Sequence, residues 1–230
     1  MKKQIPNLIT LGNLLCGVLA SLFAAVGHLR LAALFICLGI FLDFFDGMAA
    51  RLLNVASPLG KELDSLADLV TSGVAPGFIL MALLWDNDIS RWLAYLALLM
   101  PLFAAYRLAK FNLDTRQSHS FLGLPVPANA LIWVGLAIAS NNPIKPNVTG
   151  TIILIVISLI TNILMVSELP MFSLKFNFKD LSWRTNFIQY IFFIGCAALI
   201  ILTRNWGVIS LIILWYILLS IITCKRHHAE

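Results

Sequence analysis

The feature that most constrains this chain is a series of long apolar runs, each close to the length of a membrane crossing. A helix needs about 20 mostly apolar residues to cross the ~30 Å hydrocarbon core of a bilayer. The runs are continuous and lack the period-2 alternation of barrel strands, so we expect an all-α integral membrane protein. The sequence predicts eight spans, at 8–27, 30–51, 65–85, 91–111, 125–141, 150–167, 187–203 and 206–223.

The distribution of basic residues predicts the orientation of these spans. Charged residues make up only 12% of the 230 residues, against about 25% in soluble domains, and the net charge of +5 is read through topology rather than as a nucleic-acid signal. With a cytoplasmic N-terminus, 12 of the 16 lysines and arginines face the cytoplasm, which is the positive-inside pattern. The four on the outside would be Arg30, Arg91, Lys145 and Arg204. Both termini and a loop over 52–64 are therefore predicted to be cytoplasmic.

The longest mixed polar stretch divides the chain. Residues 168–186 alternate aromatic with polar side chains and are predicted to form a cytoplasmic interfacial loop. This loop separates a six-span region, 1–167, from two further spans and a basic tail, 187–230. No internal repeat is visible, so a transporter built from inverted repeats gains no support.

Four aspartates interrupt the apolar pattern at the predicted cytoplasmic face. Asp43 and Asp46 end the second span, and Asp64 and Asp68 begin the third. Spacings of three and four place each pair on one helix face. An aspartate at a helix centre costs roughly 2.5–3.5 kcal/mol on the insertion scale, and neighbouring carboxylates repel one another. Divalent ions such as Mg²⁺ or Mn²⁺ would relieve that repulsion, so the pattern predicts a metal site for one or two ions.

Two other interpretations of the aspartates remain open on the residues alone. They could face water in a solvated loop, or they could belong to a proton or cation pathway such as that of a divalent-cation transporter. A pathway would be expected to carry charged groups nearer the midplane of the membrane, and the sequence has none there.

The acidic stretch resembles the CDP-alcohol phosphatidyltransferase family. The family pattern D-x2-D-G-x2-A-R-x8-G-x3-D-x3-D is met at every fixed position and spacing. The positions are Asp43, Asp46, Gly47, Ala50, Arg51, Gly60, Asp64 and Asp68. Further segments resemble the bacterial, membrane-embedded members that act on serine: PNLITLGNLLCG, SPLGKELDSLAD, YRLAKFN, FLGLPVPANA and LPMFSLKF.

The resemblance implies a fold, a reaction and a location. The fold would be a six-helix core with two additional C-terminal helices, in the bacterial inner membrane, and homodimers would be usual. The reaction would transfer the phosphatidyl group of CDP-diacylglycerol to the hydroxyl of serine, with release of CMP. Glycerol 3-phosphate, inositol phosphate or choline remain as alternative acceptors. A phosphorylated acceptor would need an extra cluster of basic groups, and only Arg107 and Lys110 are evident beyond Arg51, which favours an unphosphorylated acceptor.

The resemblance also implies roles for individual residues. Asp43, Asp46 and Asp64 would be the principal ligands of two Mg²⁺ or Mn²⁺ ions. Asp68 would share in the second site and would take the proton of the incoming hydroxyl. Gly47, Ala50, Arg51 and Gly60 would bind CDP-diacylglycerol, with the arginine on the pyrophosphate.

Other polar residues are weaker candidates. Asn7 and Thr10 would face the nucleotide pocket or, equally, bond to a neighbouring helix. Lys61 would contact the diphosphate or remain an ordinary solvated lysine. Arg107 and Lys110 would recognise the acceptor, the alternative being that they anchor the fourth span at the membrane surface.

Overall fold

The computed structural model describes residues 4–85, 91–113, 122–139, 147–171 and 186–227. Within these ranges the chain is built from α-helices and connections. The α-helices are α1 (Ile5–Ala25), α2 (Leu29–Leu52), α3 (Pro58–Asp68), α4 (Ala75–Trp85), α5 (Leu99–Leu113), α6 (Val126–Ala139), α7 (Val148–Val166), α8 (Phe187–Thr203) and α9 (Val208–His227). A π-helical stretch, Leu69–Val74, joins α3 to α4, and a 3₁₀ stretch, Arg91–Leu98, leads into α5.

Eight apolar helical segments occupy the positions of the eight predicted spans. Five are long and apolar enough to cross a membrane: α1, α2, the continuous helix Pro58–Trp85, the continuous helix Arg91–Leu113, and α7. The other three, α6, α8 and Val208–Thr223 of α9, are apolar but shorter. The protein is therefore an all-α, multi-pass integral membrane protein, as the sequence predicts.

The predicted loop over 52–64 is wrong, because α3 begins inside it. Only residues 53–57 separate α2 from α3. The Oγ of Ser57 caps α3 by accepting from the backbone N–H of Gly60 at 3.1 Å. Pro58 takes the first helical position, where its missing N–H leaves no further orphan donor. Gly60 and Lys61 consequently lie in the first turn of a helix.

Small residues allow the helices around the aspartates to pack closely. α1 contacts α2, α3, the π-helical stretch and α4, while α5 packs on the π-helical stretch and α7. A Cβ at Gly73 would lie 2.9 Å from the Cβ of Ala104, and one at Gly77 would lie 3.3 Å from the carbonyl oxygen of Ala97. The glycines of the third span thus permit close contact with α5 and with the 3₁₀ stretch that leads into it.

The segment before α6 is fixed to the end of α7. The backbone N–H of Gly123 donates to the carbonyl of Leu169 at 2.9 Å, and that of Leu124 donates to the carbonyl of Leu164 at 3.0 Å. Gly123 has a φ of +74°, and a Cβ there would lie 2.6 Å from the carbonyl oxygen of Ser167. Of the predicted interfacial loop 168–186, residues 172–185 lie outside the described part of the chain.

Candidate active site

Three of the four predicted metal ligands converge in one cluster. Asp43 of α2 and Asp64 and Asp68 of α3 each offer a carboxylate oxygen, and these oxygens lie within 4.8 Å of one another. The i, i+4 spacing places Asp64 and Asp68 on one face of α3. The Oδ1 of Asp64 is buried and has no hydrogen-bond partner among the described residues. The cluster therefore contains at least one buried carboxylate oxygen to which no group of the described residues donates a hydrogen bond.

The fourth aspartate, Asp46, stands outside that cluster and lines an adjoining cleft. It is buried on α2, and its Oδ2 accepts a hydrogen bond of 2.5 Å from the hydroxyl of Thr10 on α1. The same hydroxyl lies 3.0 Å from the carbonyl of Pro6. A hydroxyl has one proton, and the shorter distance assigns it to the carboxylate. Thr10 thus holds Asp46 while both contribute to the cleft wall.

A second α1 residue holds Asp68. The Nδ2 of Asn13 donates to Oδ1 of Asp68 at 3.3 Å, while the Oδ1 of Asn13 has no partner among the described residues. Asn13 is completely buried. The sequence suggested that polar residues of the first span either face the nucleotide or bond to another helix. Thr10 bonds to α2 and also lines the cleft, and Asn13 bonds to α3.

The cleft next to the acidic cluster has a volume of about 250 Å³. Asp64 belongs both to the cluster and to the cleft wall. The cleft is lined by Pro6, Asn7, Thr10, Asp46, Gly47, Ala50, Arg51, Val55, Ala56, Ser57, Gly60, Lys61 and Asp64. The structure thus brings together in one wall all the residues that the sequence proposed for CDP-diacylglycerol.

The cleft wall is shaped by two glycines. A Cβ at Gly60 would lie 3.2 Å from the Oγ of Ser57 and 3.3 Å from the Oδ1 of Asn7. Arg51 folds back over Gly47, donating from Nε to its carbonyl at 3.1 Å. A Cβ at Gly47 would lie 3.6 Å from Nη2 of Arg51, and both glycines line the cleft.

Lys61 is held at the edge of the cleft by α5. Its Nζ donates to the carbonyl of Asn112 at 3.0 Å, and the Nδ2 of Asn112 donates to the Oγ of Ser65 at 2.9 Å. These bonds tie the first turns of α3 to the end of α5. The ammonium is thereby oriented by the protein, next to the space in which an anionic ligand would sit.

Arg107 lies on α5 near Asp68 of the acidic cluster, whereas Lys110 pairs with a residue outside that cluster. Arg107 is 8% exposed, its charge interacts with that of Asp68, and its Nε has no hydrogen-bond partner among the described residues. Its guanidinium also lies 5.7 Å from the ring centroid of Phe111. Lys110 instead forms a 3.0 Å salt bridge with the exposed Glu168. The two residues predicted to bind the acceptor therefore have different surroundings.

The acidic cluster fits a hard divalent cation. Its donors are all carboxylate oxygens, which Mg²⁺ and Mn²⁺ prefer. The Oδ1 of Asp64, which has no hydrogen-bond partner in the described part of the chain, is an acceptor that a cation would satisfy. Asp43, Asp64 and Asp68 could hold such an ion directly. Asp46 lies outside this group of three and lines the adjoining cleft.

Sequence reasoning missed several features of the site. Val55, Ala56 and Ser57 line the cleft although the loop prediction had placed no function on them. The Ser-Pro pair before Gly60 was the available signal, since serine followed by proline is typical of a helix start.

An apolar helix bundle that carries converging carboxylates beside a cleft, with an arginine and a lysine in the cleft lining, fits a class of protein, membrane-embedded enzymes for phosphate-group chemistry. Residues 3–172 match the family model for CDP-alcohol phosphatidyltransferase, which covers more than half of the chain. The protein belongs to the CDP-alcohol phosphatidyltransferase family, and it is therefore a phosphotransferase.

Relatives in two bacteria and a yeast have the same name. The chain is 43% identical to the CDP-diacylglycerol--serine O-phosphatidyltransferase of Bacillus subtilis over 138 residues, 60% of this chain and 77% of the relative. It is 32% identical to the Helicobacter pylori (strain 26695) enzyme of that name over 197 residues, 83% of this chain and 79% of the relative. A Saccharomyces cerevisiae enzyme of that name is 39% identical over 119 residues, 48% of this chain and 42% of the relative.

Proposed function

We propose that this protein transfers the phosphatidyl group of CDP-diacylglycerol to L-serine, giving phosphatidylserine and CMP. The observation that carries the proposal is the junction of the acidic cluster with the cleft at Asp64. A nucleotide diphosphate in the cleft would lie with its phosphates against the carboxylates. The serine acceptor is supported by the names of the relatives.

The cleft would bind the CDP portion of the lipid donor. Gly47 and Gly60 leave room for the nucleotide, and Ala50 adds little bulk between them. Arg51 offers a planar fork that suits phosphate oxygens, and Lys61 adds a second positive charge at the rim. Asn7 would contribute a polar contact from α1.

The aspartates would hold Mg²⁺ or Mn²⁺ against the diphosphate, as two ions if Asp46 completes a second site. When bound, such ions supply positive charge that stabilises the phosphate oxygens and the leaving CMP. Thr10 and Asn13 would keep Asp46 and Asp68 in place by the hydrogen bonds that they donate.

The transfer exchanges one P–O bond for another. The serine hydroxyl oxygen would form a bond to the phosphatidyl phosphorus, and the bond from that phosphorus to the CMP oxygen would break. Asp68 would take the hydroxyl proton, since a carboxylate within hydrogen-bond reach can act as a general base. Asn13 bonds to Oδ1 of Asp68, which leaves Oδ2 for this role.

Arg107 would recognise the carboxylate of serine. It is buried near Asp68, and its Nε lacks a partner among the described residues. A buried guanidinium gains most from a bidentate carboxylate. Lys110 is a weaker candidate because it already pairs with Glu168. It would contribute mainly by drawing an anionic acceptor toward this end of the bundle.

The site lies at one end of the bundle, which we infer to be the cytoplasmic end. The aspartates are close to the end of α2 and the start of α3, and Arg107 is close to the end of α5. The charge distribution supports cytoplasmic termini in a bacterial inner membrane. A lipid substrate and a water-soluble substrate can meet only at such a membrane face. The predicted homodimer and the six-plus-two division of the helices remain predictions.

The proposal is tested by CMP release from CDP-diacylglycerol in detergent micelles, with a panel of acceptors. We expect release with L-serine and Mg²⁺ or Mn²⁺, and little with glycerol 3-phosphate, inositol phosphate or choline. Asp64→Asn is the inactive control, and Glu62→Gln is the matched carboxylate control, because Glu62 is exposed on the same helix and is not part of the cleft lining. Preferential use of another acceptor would refute the serine assignment. Metal flux into liposomes without CMP release would instead support a cation transporter.

A further inference from the structure

Thr71 packs between α1 and α2, three residues after Asp68. A Cβ at Gly17 of α1 would lie 2.5 Å from the Oγ1 of Thr71, and a Cβ at Gly39 of α2 would lie 2.5 Å from its Cγ2. Thr71 is completely buried. Contacts this short exclude any side chain at either glycine without movement. The two glycines and the threonine therefore form one tightly packed layer.

This layer is connected to the acids of α2 and α3. Gly39 precedes Asp43 by four residues and so shares a face of α2 with it, while Thr71 and Asp68 both contact Asn13 of α1. The hydroxyl of Thr71 donates to the carbonyl of Asn13 at 3.0 Å, and the amide of Asn13 donates to Asp68. The position of Thr71 between the two glycines would therefore fix where Asp68 lies along the helix bundle relative to Asp43.

The backbone around Thr71 gives this contact a specific consequence. Thr71 lies in the π-helical stretch Leu69–Val74, which begins directly after Asp68. A π-helical turn is rare and closes with i→i+5 bonds instead of i→i+4 bonds. If the hydrogen-bond register of this stretch changed by one residue, α3 would rotate by about 100° relative to α4. Such a rotation would turn Asp64 and Asp68 away from Asp43.

We propose that Thr71 is a positioning residue. By packing between Gly17 and Gly39, it fixes the register of α3 and so holds Asp68 in the acidic cluster. The proposal rests on the proposed function, because it assigns Thr71 a part in the same site. Thr71 itself would touch neither substrate nor ion, and it acts through Asn13 and the backbone of the π-helical stretch.

The first test removes the hydroxyl and keeps the shape. Thr71→Val is expected to lower kcat by about five- to tenfold, which corresponds to one lost hydrogen bond, and to weaken Mn²⁺ binding by a similar factor. Mn²⁺ binding is followed by electron paramagnetic resonance of the purified protein. Thr71→Ser, which keeps the hydroxyl, should restore both. Thr161→Val is the matched control, because Thr161 is equally buried and donates to a backbone carbonyl on α7.

The second test uses the close packing of Thr71 against the two glycines. Gly39→Ala places its Cβ against Cγ2 of Thr71, an atom that serine lacks, and 2.8 Å from Oδ1 of Asn13. Thr71→Ser removes the first contact but not the second, so it should recover part of the kcat and Mn²⁺ affinity lost in Gly39→Ala. Gly17→Ala places its Cβ 2.7 Å from the backbone nitrogen and 2.8 Å from the Cα of Thr71. Every residue has these atoms, so Thr71→Ser should not rescue Gly17→Ala.

The outcomes separate a positioning role from simple packing. Thr71→Val with wild-type kcat and Mn²⁺ affinity would overturn the proposal. Equal rescue of Gly17→Ala and Gly39→Ala, or loss of Mn²⁺ affinity in Thr161→Val as large as in Thr71→Val, would also overturn it. A wild-type protein that releases no CMP with serine would refute the proposed function alone, because the Mn²⁺ comparisons would still decide on Thr71.

Discussion

The hydrogen bond from Thr10 to Asp46 allows a quantitative prediction about the cleft. Thr10→Val keeps the volume of the buried side chain but removes the 2.5 Å bond to Oδ2 of Asp46. A hydrogen bond to a charged group contributes about 1.5–3 kcal/mol. Since about 1.4 kcal/mol corresponds to a factor of ten in rate, we expect the kcat/KM for CDP-diacylglycerol to fall roughly 10- to 150-fold. Thr10→Ser keeps the hydroxyl and should remain within about threefold of wild type.

The assay for Thr10 is the initial rate of CMP release at saturating serine, repeated over a range of Mg²⁺ concentrations. If Thr10 acts by holding Asp46, the Thr10→Val enzyme should also need more Mg²⁺ for half-maximal rate. A Thr10→Val enzyme within threefold of Thr10→Ser, with an unchanged Mg²⁺ requirement, would refute the reasoning. That result would assign the proton of Thr10 to the carbonyl of Pro6 instead.

Three further results are expected at the same site. Asp64→Asn should lower kcat by about 100-fold or more, because even the loss of a residue that only supports a metal ligand costs 10- to 100-fold. EDTA should abolish CMP release by the wild-type enzyme, and added Mg²⁺ or Mn²⁺ should restore that release. Arg107→Gln should raise the KM for serine about tenfold or more, whereas Lys110→Gln should change it far less, since exposed pairs contribute only about 0–1 kcal/mol; equal effects would contradict separate roles. Gly60→Val should raise the KM for CDP-diacylglycerol by filling the cleft, and an unchanged KM in steady-state kinetics would place the nucleotide elsewhere.

Much of the site could be predicted because its information is local in sequence. The spacings of the aspartates place Asp64 and Asp68 on one face of α3, and the structure brings them together with Asp43. The apolar runs predicted the helices for a similar reason, since span length is set by the thickness of the bilayer. Gly60 was assigned correctly to the cleft even though its helix was predicted as a loop.

The remaining features depend on contacts between distant segments. The spacing of Asp43 and Asp46 does not reveal that only Asp43 joins the cluster, because Thr10 of another helix holds Asp46. The partner of Lys110, Glu168, lies 58 residues away in sequence. The π-helical stretch after Asp68 was not predicted from the sequence, and its Thr71 packs closely against Gly17 and Gly39 of two other helices. Tertiary packing, rather than propensity, determines these details.

The most direct test of the central claim is the stoichiometry of the reaction with isotopically labelled serine. Purified protein in mixed micelles of CDP-diacylglycerol and detergent would receive ¹³C-serine and Mg²⁺ or Mn²⁺, and mass spectrometry would measure lipid product and CMP together. The account predicts one labelled phosphatidylserine for each CMP released, and neither product from the Asp64→Asn enzyme. CMP released without labelled lipid, or labelled lipid formed equally well by Asp64→Asn, would contradict it.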